Sequence, residues 1–289
     1  MKIKRIIDKR QIGFILSASI LVLLAAQIPS GSPLRRWYRA HKNKPVINKA
    51  IEYKEGDVAS AVSVGRFLTY YRFRSFGESN PADIDVNAPM IALTFDDGPS
   101  PENTERILKV LTENYSHATF FVVGSNAEKY PDTLKAIASA GCEIGNHTYG
   151  HANLTKIPWE DAQEQIEKTN RAVNKAIGED TTVIRPPYGA YDDDLLHALQ
   201  EPVVLWDLDT EDWDSRDAQK IVDNILTSVQ DGDIVLMHDI YDSTADAVEI
   251  VVPKLKEQGY QIMSVSEMAA YKGKDLELGK AYGKFQSEE

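Results

Sequence analysis

The chain has almost no cysteine: Cys142 alone, in 289 residues. That excludes an internal disulfide and any zinc site made of thiolates only. Cys142 follows Gly141 and reads as a small buried apolar residue. Histidine is sparse too, with six in the chain. There is no internal repeat, and the absence of G-x-S-x-G removes the usual serine-hydrolase arrangement. Basic residues become scarce after residue 50. Residues 1–50 hold eleven Lys or Arg against one Asp, and the other 239 hold 21 against 43 acids. A net charge of −12 distributed in this way argues against a nucleic-acid binder, because phosphate recognition needs a basic face. With 43% hydrophobic and 26% charged residues, the chain is globular rather than collagenous or disordered, and it is long enough to bury a core without staples.

The basic head carries one apolar run. Lys2, Lys4, Arg5, Lys9 and Arg10 precede Ile12 to Ile28, 17 residues without a charge. At about 1.5 Å per residue, such a run just crosses a hydrocarbon core about 30 Å thick. Leu24-Ala25-Ala26 is a poor cleavage site, and cutting after Ser30-Gly31-Ser32 would leave Pro33 at the new end. Residues 1–30 therefore read as an N-terminal membrane-anchor helix, with a cleaved signal segment as the alternative. Arg35, Arg36, Arg39, Lys42 and Lys44 balance the near flank, so charge does not orient the anchor. The basic stretch 35–49 also suits anionic headgroups. Residues 31–88 read as a juxtamembrane spacer.

From residue 89 the pattern changes. Apolar runs at 90–95, 118–123, 143–145, 182–184, 203–206, 234–237 and 260–263 alternate with helix-like segments near 102–114, 127–140, 159–177, 192–199, 215–229 and 245–258. Gly141, Gly178 and Gly259 follow periodic segments and read as helix stops. Seven strands alternating with helices imply parallel pairing, in an α/β barrel or an open doubly wound sheet. After Lys272 the charged residues 273–289 read as a frayed tail.

Chemistry in such folds gathers at the C-terminal strand ends, and unusual polar residues fall there. The first end is T-F-D-D-G-P, with Asp96 and Asp97 adjacent. Two neighbouring carboxylates persist when a cation neutralises them or one keeps a proton, or they simply cap a turn. The third is H-T-Y-G-H: His147 and His151 at i and i+4 share a face if the segment is helical, which suits one metal ion. Thr148 stands where a zinc protease would have Glu. The fourth is R-P-P-Y-G, where prolines fix the backbone around Arg185. The fifth, Trp206 to Asp214, is rich in acids. It fails as a calcium loop, since an EF-hand starting at Asp207 needs Gly where Asp212 stands. The sixth is L-M-H-D, and its His238 beside a carboxylate is either a general acid or a structural histidine.

Taken together, T-F-D-D-G-P, H-T-Y-G-H, R-P-P-Y-G, D-x-x-D-W and L-M-H-D, in this order over about 90–270, resemble the five motifs of the polysaccharide deacetylases, carbohydrate esterase family four (the NodB homology domain). The resemblance implies a distorted (β/α) barrel of about seven parallel strands over residues 89–272. It implies that Asp97, His147 and His151 bind one divalent metal, zinc in most members, with Co, Mn or Ni as alternatives. Asp96 would be the general base, paired with Arg185. Tyr188 would offer its backbone N–H to the oxyanion, Asp212 would orient His238, and His238 would be the general acid. Leu236 and Trp213 would shape the pocket for the acetyl methyl. No motif position departs from the family pattern.

The expected function is metal-dependent removal of N-acetyl groups from an extracellular polysaccharide, with peptidoglycan N-acetylglucosamine first. An anchored enzyme would reach a cell wall. A chitin-oligosaccharide deacetylase or an acetylxylan esterase would use the same site. A non-catalytic wall-binding module and a closed structural metal site are the readings from other classes. Neither nucleic acid nor a protein partner is implied.

Overall fold

The structure is a computed structural model that describes residues 84–285. The apolar run 12–28, and with it the anchor and nearly all of the spacer, lies outside the described residues. Among the described residues no helix is long and apolar enough to cross a membrane.

The first strand, β1 (Met90–Asp96), is buried along its whole length. A strand covered on both faces reads as a continuous apolar run, and M-I-A-L-T-F does. It pairs in parallel with β2 (Thr119–Val122), which pairs in turn with β3 (Glu143–Asn146). On its other flank β1 pairs with β6 (Ile234–His238), which carries β5 (Leu208–Asp209). The first residues of β1 also pair with β7 (Gln261–Met263). A second parallel ladder joins β4 (Val203–Val204) to β8 (Ala281–Tyr282). Single-residue bridges connect the two: Asn146 to Ile184, Ile184 to Val203, and Asp233 to Lys284. The expected α/β fold with parallel strands is therefore observed, and backbone pairing runs from β1 through β2, β3, Ile184, β4 and β8 back to the start of β6.

Alternation along β1 separates two cores. Ile91, Leu93 and Phe95 pack outward against Ile107 and Leu111 of α1 (Pro101–Glu113) and Val248, Val251 and Leu255 of α8 (Asp242–Glu257). Met90 and Ala92 pack inward with Phe121, Val183, Val204 and Ile234. Val265 and Met268 of α9 (Val265–Tyr271) join this inner core and close the end where the strands begin. By the same period of two, Thr94 and Asp96 point inward near the opposite end.

The remaining helices are α2 (Gly124–Lys129), α3 (Pro131–Ser139), α4 (Trp159–Ile177), α5 (Asp193–Ala198), α6 (Asp212–Ser215) and α7 (Ala218–Ser228). Two expected helices are each divided. Pro131 cannot continue α2 and starts α3. Arg216 takes a left-handed φ of 47° and Asp217 caps α7 by accepting from Gln219 and Lys220. The strand expected at 182–184 shrinks to a bridge at Ile184, because Pro186 and Pro187 offer no N–H to prolong a ladder. The stretch after Lys272 is not a frayed tail as far as residue 285. Ala281–Tyr282 form β8, and Phe285 is buried in the inner core.

Candidate active site

The mouth of the strands holds a buried arginine. Arg185 follows Ile184 and is fully buried. Its Nη1 donates to Asp96 Oδ1 at 2.7 Å and to Thr94 Oγ1 at 2.8 Å. Nε donates to the Val204 carbonyl and Nη2 to the Leu205 carbonyl. The guanidinium lies 4.1 Å from the Phe121 ring centroid. A guanidinium with four of its five N–H groups committed holds its partner rigidly, so a solvated arginine on a loop is excluded. Asp96 Oδ1 belongs to this pair, and Oδ2 faces His147 Nε2 at 3.7 Å.

Asp97 would face outward if β1 simply continued. A left-handed φ of 72° turns it instead. Its Oδ1 lies 3.5 Å from His147 Nε2 and 3.3 Å from His151 Nε2. Among the described residues these three form the group of His, Cys, Asp or Glu able to share an ion, with ligand atoms all within 4.8 Å of one another. The histidines do not reach this arrangement through a helix, as their spacing suggested. Thr148 (φ 63°) and His151 (φ 56°) are left-handed, and the segment is a loop. Its carbonyls at Thr148 and Tyr149 accept the first N–H groups of α2, and Gly150 N–H donates to Gln165 of α4.

The three residues fit a divalent cation. Asp97 Oδ1 is buried with no hydrogen-bond donor, a costly state for a carboxylate unless a cation satisfies it. His147 Nδ1 lies 2.7 Å from the Arg185 carbonyl. That bond assigns the proton to Nδ1 and leaves the Nε2 lone pair facing Asp97. Burial, the largest influence on His147, drives its pKa down and keeps the ring neutral, as a ligand must be.

Across the mouth, β1 and β6 place Asp96 in register with His238. His238 Nδ1 lies 2.8 Å from Asp212 Oδ1, and its backbone N–H donates to Asp212 Oδ2 at 2.7 Å. Thr244 also donates to Oδ2, and Asp212 is fully buried. Nε2 is thus the free nitrogen of His238. Burial opposes its charge, but the hydrogen bond and charge of Asp212, with Asp96 and Asp97 beyond, outweigh it and raise the imidazole to about 8. Leu236 lies one inward position below His238 and is buried, while Trp213 and Tyr188 are exposed at 49% and 68%. Tyr188 is left-handed at φ 64°, with its ring edge-on to His151 at 4.7 Å between centroids.

Of the seven left-handed non-glycine residues described, six lie in or next to the motif loops: Asp97, Thr148, His151, Tyr188, Glu211 and Arg216. Such backbone persists where surrounding structure over-determines it. Asp96, Asp97, His147, His151, Arg185, Asp212 and His238 meet at this mouth, with Tyr188 against His151 and Leu236 below His238, whereas Trp213 adjoins it only as the neighbour of Asp212. Asp239, just after His238, was not among them, and it too is buried there. Burial, together with the charges of Asp97 and Asp96, raises its carboxyl to about 7 against the Thr104 hydrogen bond.

A family pattern described as polysaccharide deacetylase matches residues 83–202. The peptidoglycan N-acetylglucosamine deacetylase of Bacillus cereus is 38% identical over 189 residues, 63% of this chain and 69% of that protein. The chain belongs to the polysaccharide deacetylase family. The peptidoglycan N-acetylmuramic acid deacetylase PdaC of Bacillus subtilis is 43% identical over 65% of this chain. Its solved structure superposes with a TM-score of 0.64 and covers 94% of that solved chain. The peptidoglycan N-acetylglucosamine deacetylase PgdA of Listeria monocytogenes is 34% identical over 97% of this chain. This member of the family spans about half the length of those two proteins, 40% of PdaC and 55% of PgdA.

Proposed function

We propose that the protein is a hydrolase that removes N-acetyl groups from an extracellular polysaccharide, with N-acetylglucosamine of peptidoglycan as the principal substrate. The observation that carries this reading is one mouth holding both a three-ligand cation site and two candidate proton-transfer groups, Asp96 held by Arg185 and His238 held by Asp212. Peptidoglycan is favoured because proteins named for peptidoglycan deacetylation resemble this chain over 97% and 65% of its length.

Asp97, His147 and His151 would hold a divalent ion, zinc being the first choice for two imidazoles and a carboxylate. Such an ion would polarise a carbonyl and lower the pKa of bound water to about 7. Asp96 takes the proton of the attacking water on Oδ2, while Arg185 holds Oδ1 and fixes the carboxylate plane. The Tyr188 backbone N–H would stabilise the developing oxyanion; one such donor is typically worth about 2.7–4 kcal/mol. The departing amine is too basic to leave unprotonated. His238, held by Asp212 through Nδ1, gives it a proton from Nε2. Leu236 floors the acetyl pocket and Trp213 walls it. The apolar run 12–28 anchors the chain in the cell membrane, with this domain outside.

The test is acetate release from purified peptidoglycan, chitin oligomers and acetylated xylan, with and without chelator. Chelator-sensitive release greatest on peptidoglycan supports the reading. Release that survives complete demetallation overturns the mechanism, and preference for xylan esters overturns the substrate.

A further inference from the structure

Asp239 is fully buried. Its Oδ2 accepts the Thr104 hydroxyl at 2.5 Å, and Thr104, on the first turns of α1, itself accepts Ser100 N–H at 2.9 Å. Its Oδ1 is buried with no hydrogen-bond partner. A buried carboxylate oxygen without a donor is rare, since ionised groups lose far more than a hydrogen bond when desolvated alone. Thr104 supplies the tether but not the missing charge.

The position of the carboxylate identifies what it faces. Asp96 and His238 are register partners across β1 and β6, so the residues one step further, Asp97 and Asp239, end neighbouring strands about 4.8 Å apart. The Asp239 carboxylate lies flat against Gly98: a Cβ at that glycine would meet Oδ1 at 2.1 Å and Oδ2 at 2.4 Å. No other residue fits at position 98 while Asp239 stays. The loop that carries Asp97 thus rests on this carboxylate, and Asp97 Oδ1 is likewise without a donor. Two carboxylate oxygens without a hydrogen-bond partner thus lie one within the ligand set and one behind its loop; a dication at the ligands would satisfy the first and attract the second without contact.

We propose that Asp239 is a positioning residue for the cation held by Asp97, His147 and His151: it seats the Asp97 loop and, without touching the ion, raises the affinity of the site for a dication. The inference rests on the metal-site reading above and extends it to a residue that supplies no ligand atom. A dication at the ligands interacts with Asp239 through protein rather than water, where charges act at longer range. In the cation-free protein the same carboxylate is a cost.

The experiment measures Zn2+ affinity of the full chain by competition with a chromophoric chelator, and Tm with and without Zn2+. Both are measured above pH 7, where the Asp239 carboxyl is ionised, so that Asp239→Asn keeps the shape and removes the charge. The expected result is a Kd weakened about 10- to 100-fold, the range for outer partners of metal ligands, a smaller rise of Tm on adding Zn2+, and a metal-free Tm equal to or above that of the parent. An unchanged Kd with a lower metal-free Tm makes Asp239 a packing residue and overturns the proposal. Thr104→Val removes the tether and keeps the charge, and is expected to weaken Kd less, about threefold. If Asp239→Asn does not fold, an unchanged Kd in Thr104→Val overturns the proposal by itself. A parent chain that binds no dication removes the metal-site reading as well; a parent that binds one as tightly as Asp239→Asn removes only this inference.

Discussion

The two ends of the strands both bury acidic side chains, but they treat them differently. At the starting end, Glu143 accepts from Thr119, Thr182 and both the hydroxyl and the N–H of Ser266. Glu267 accepts from Ser264 N–H and faces His117 Nδ1 at 2.8 Å, and Ser264 completes a capping box on α9. At the other end Asp97 and Asp239 each keep an oxygen without a donor, and Asp97 and the ligand loop at Thr148 and His151 have left-handed backbone. Satisfied polar networks stabilise a fold, whereas unsatisfied ones under strain mark places kept ready for something else. Acidity alone does not distinguish a structural end from a reactive one. The open oxygens of Asp97 and Asp239 do, although Asp212 at the same end is fully bonded and Asp233 at the starting end relies on its ion pair with Lys284.

The contrast breaks most visibly at Arg185. Replacing it with Met leaves Asp96 buried without a counter-charge, expected to cost about 3–5 kcal/mol, seen as a large fall in Tm together with loss of acetate release. Next in size, Asp96→Ala or His238→Ala should lower kcat about 100- to 10,000-fold while the chelator-measured Zn2+ affinity of His238→Ala stays within a few fold of the parent. A starting-end change does the reverse: Glu267→Gln should lower Tm by a few degrees, about 1–3 kcal/mol for a buried hydrogen-bonded pair, with kcat unchanged.

Titration sharpens the same comparison. His117 has its pKa raised: burial opposes the charge, but the bond to Glu267 prevails. Its contribution to stability is therefore full below the unfolded value near 6.5 and disappears as pH rises through the higher folded value. Tm should fall over that interval, and a Glu267→Gln chain should lack the effect. His238, raised to about 8, follows the same sign for stability, and in catalysis it must be protonated to act. The rate should decline on the alkaline side at or below about 8, because a cation beside Asp97 cancels part of the negative charge. Asp212→Asn should move this limb toward acid by about one unit, the smallest of these effects and measurable in a pH–rate profile.

Much of the mouth was legible in the sequence, because ligands and proton-transfer groups sit within a residue or two of apolar runs whose ends can be read. Asp96, Asp97, Arg185 and His238 are all of this kind. The strands at 90–96, 119–122, 143–146 and 234–238 were also readable as buried runs. What the sequence concealed has no local signal. His117 and Glu267 meet across 150 residues. Strands β5 and β8 are two residues long, too short for any period, and α9 is seven. The loop between His147 and His151 has the spacing of a helix and the conformation of a turn, because Thr148 and His151 obey tertiary constraints rather than propensity. Asp239 was hidden by its neighbour, since in L-M-H-D the histidine explains the motif and the aspartate passes for a turn residue.

The late strand β8 has a temporal consequence. It borders β4, which bridges to Ile184 beside Arg185, and Gly283 lies close enough for an added Cβ to meet the Trp206 carbonyl at 3.1 Å. Synthesis proceeds from the opposite terminus, so a nascent polypeptide possesses every motif before it possesses the piece of wall that shuts the barrel around its guanidinium. Until residues 281–285 have left the ribosome, the groups at the mouth exist without the part of the enclosure that β8 and Phe285 supply.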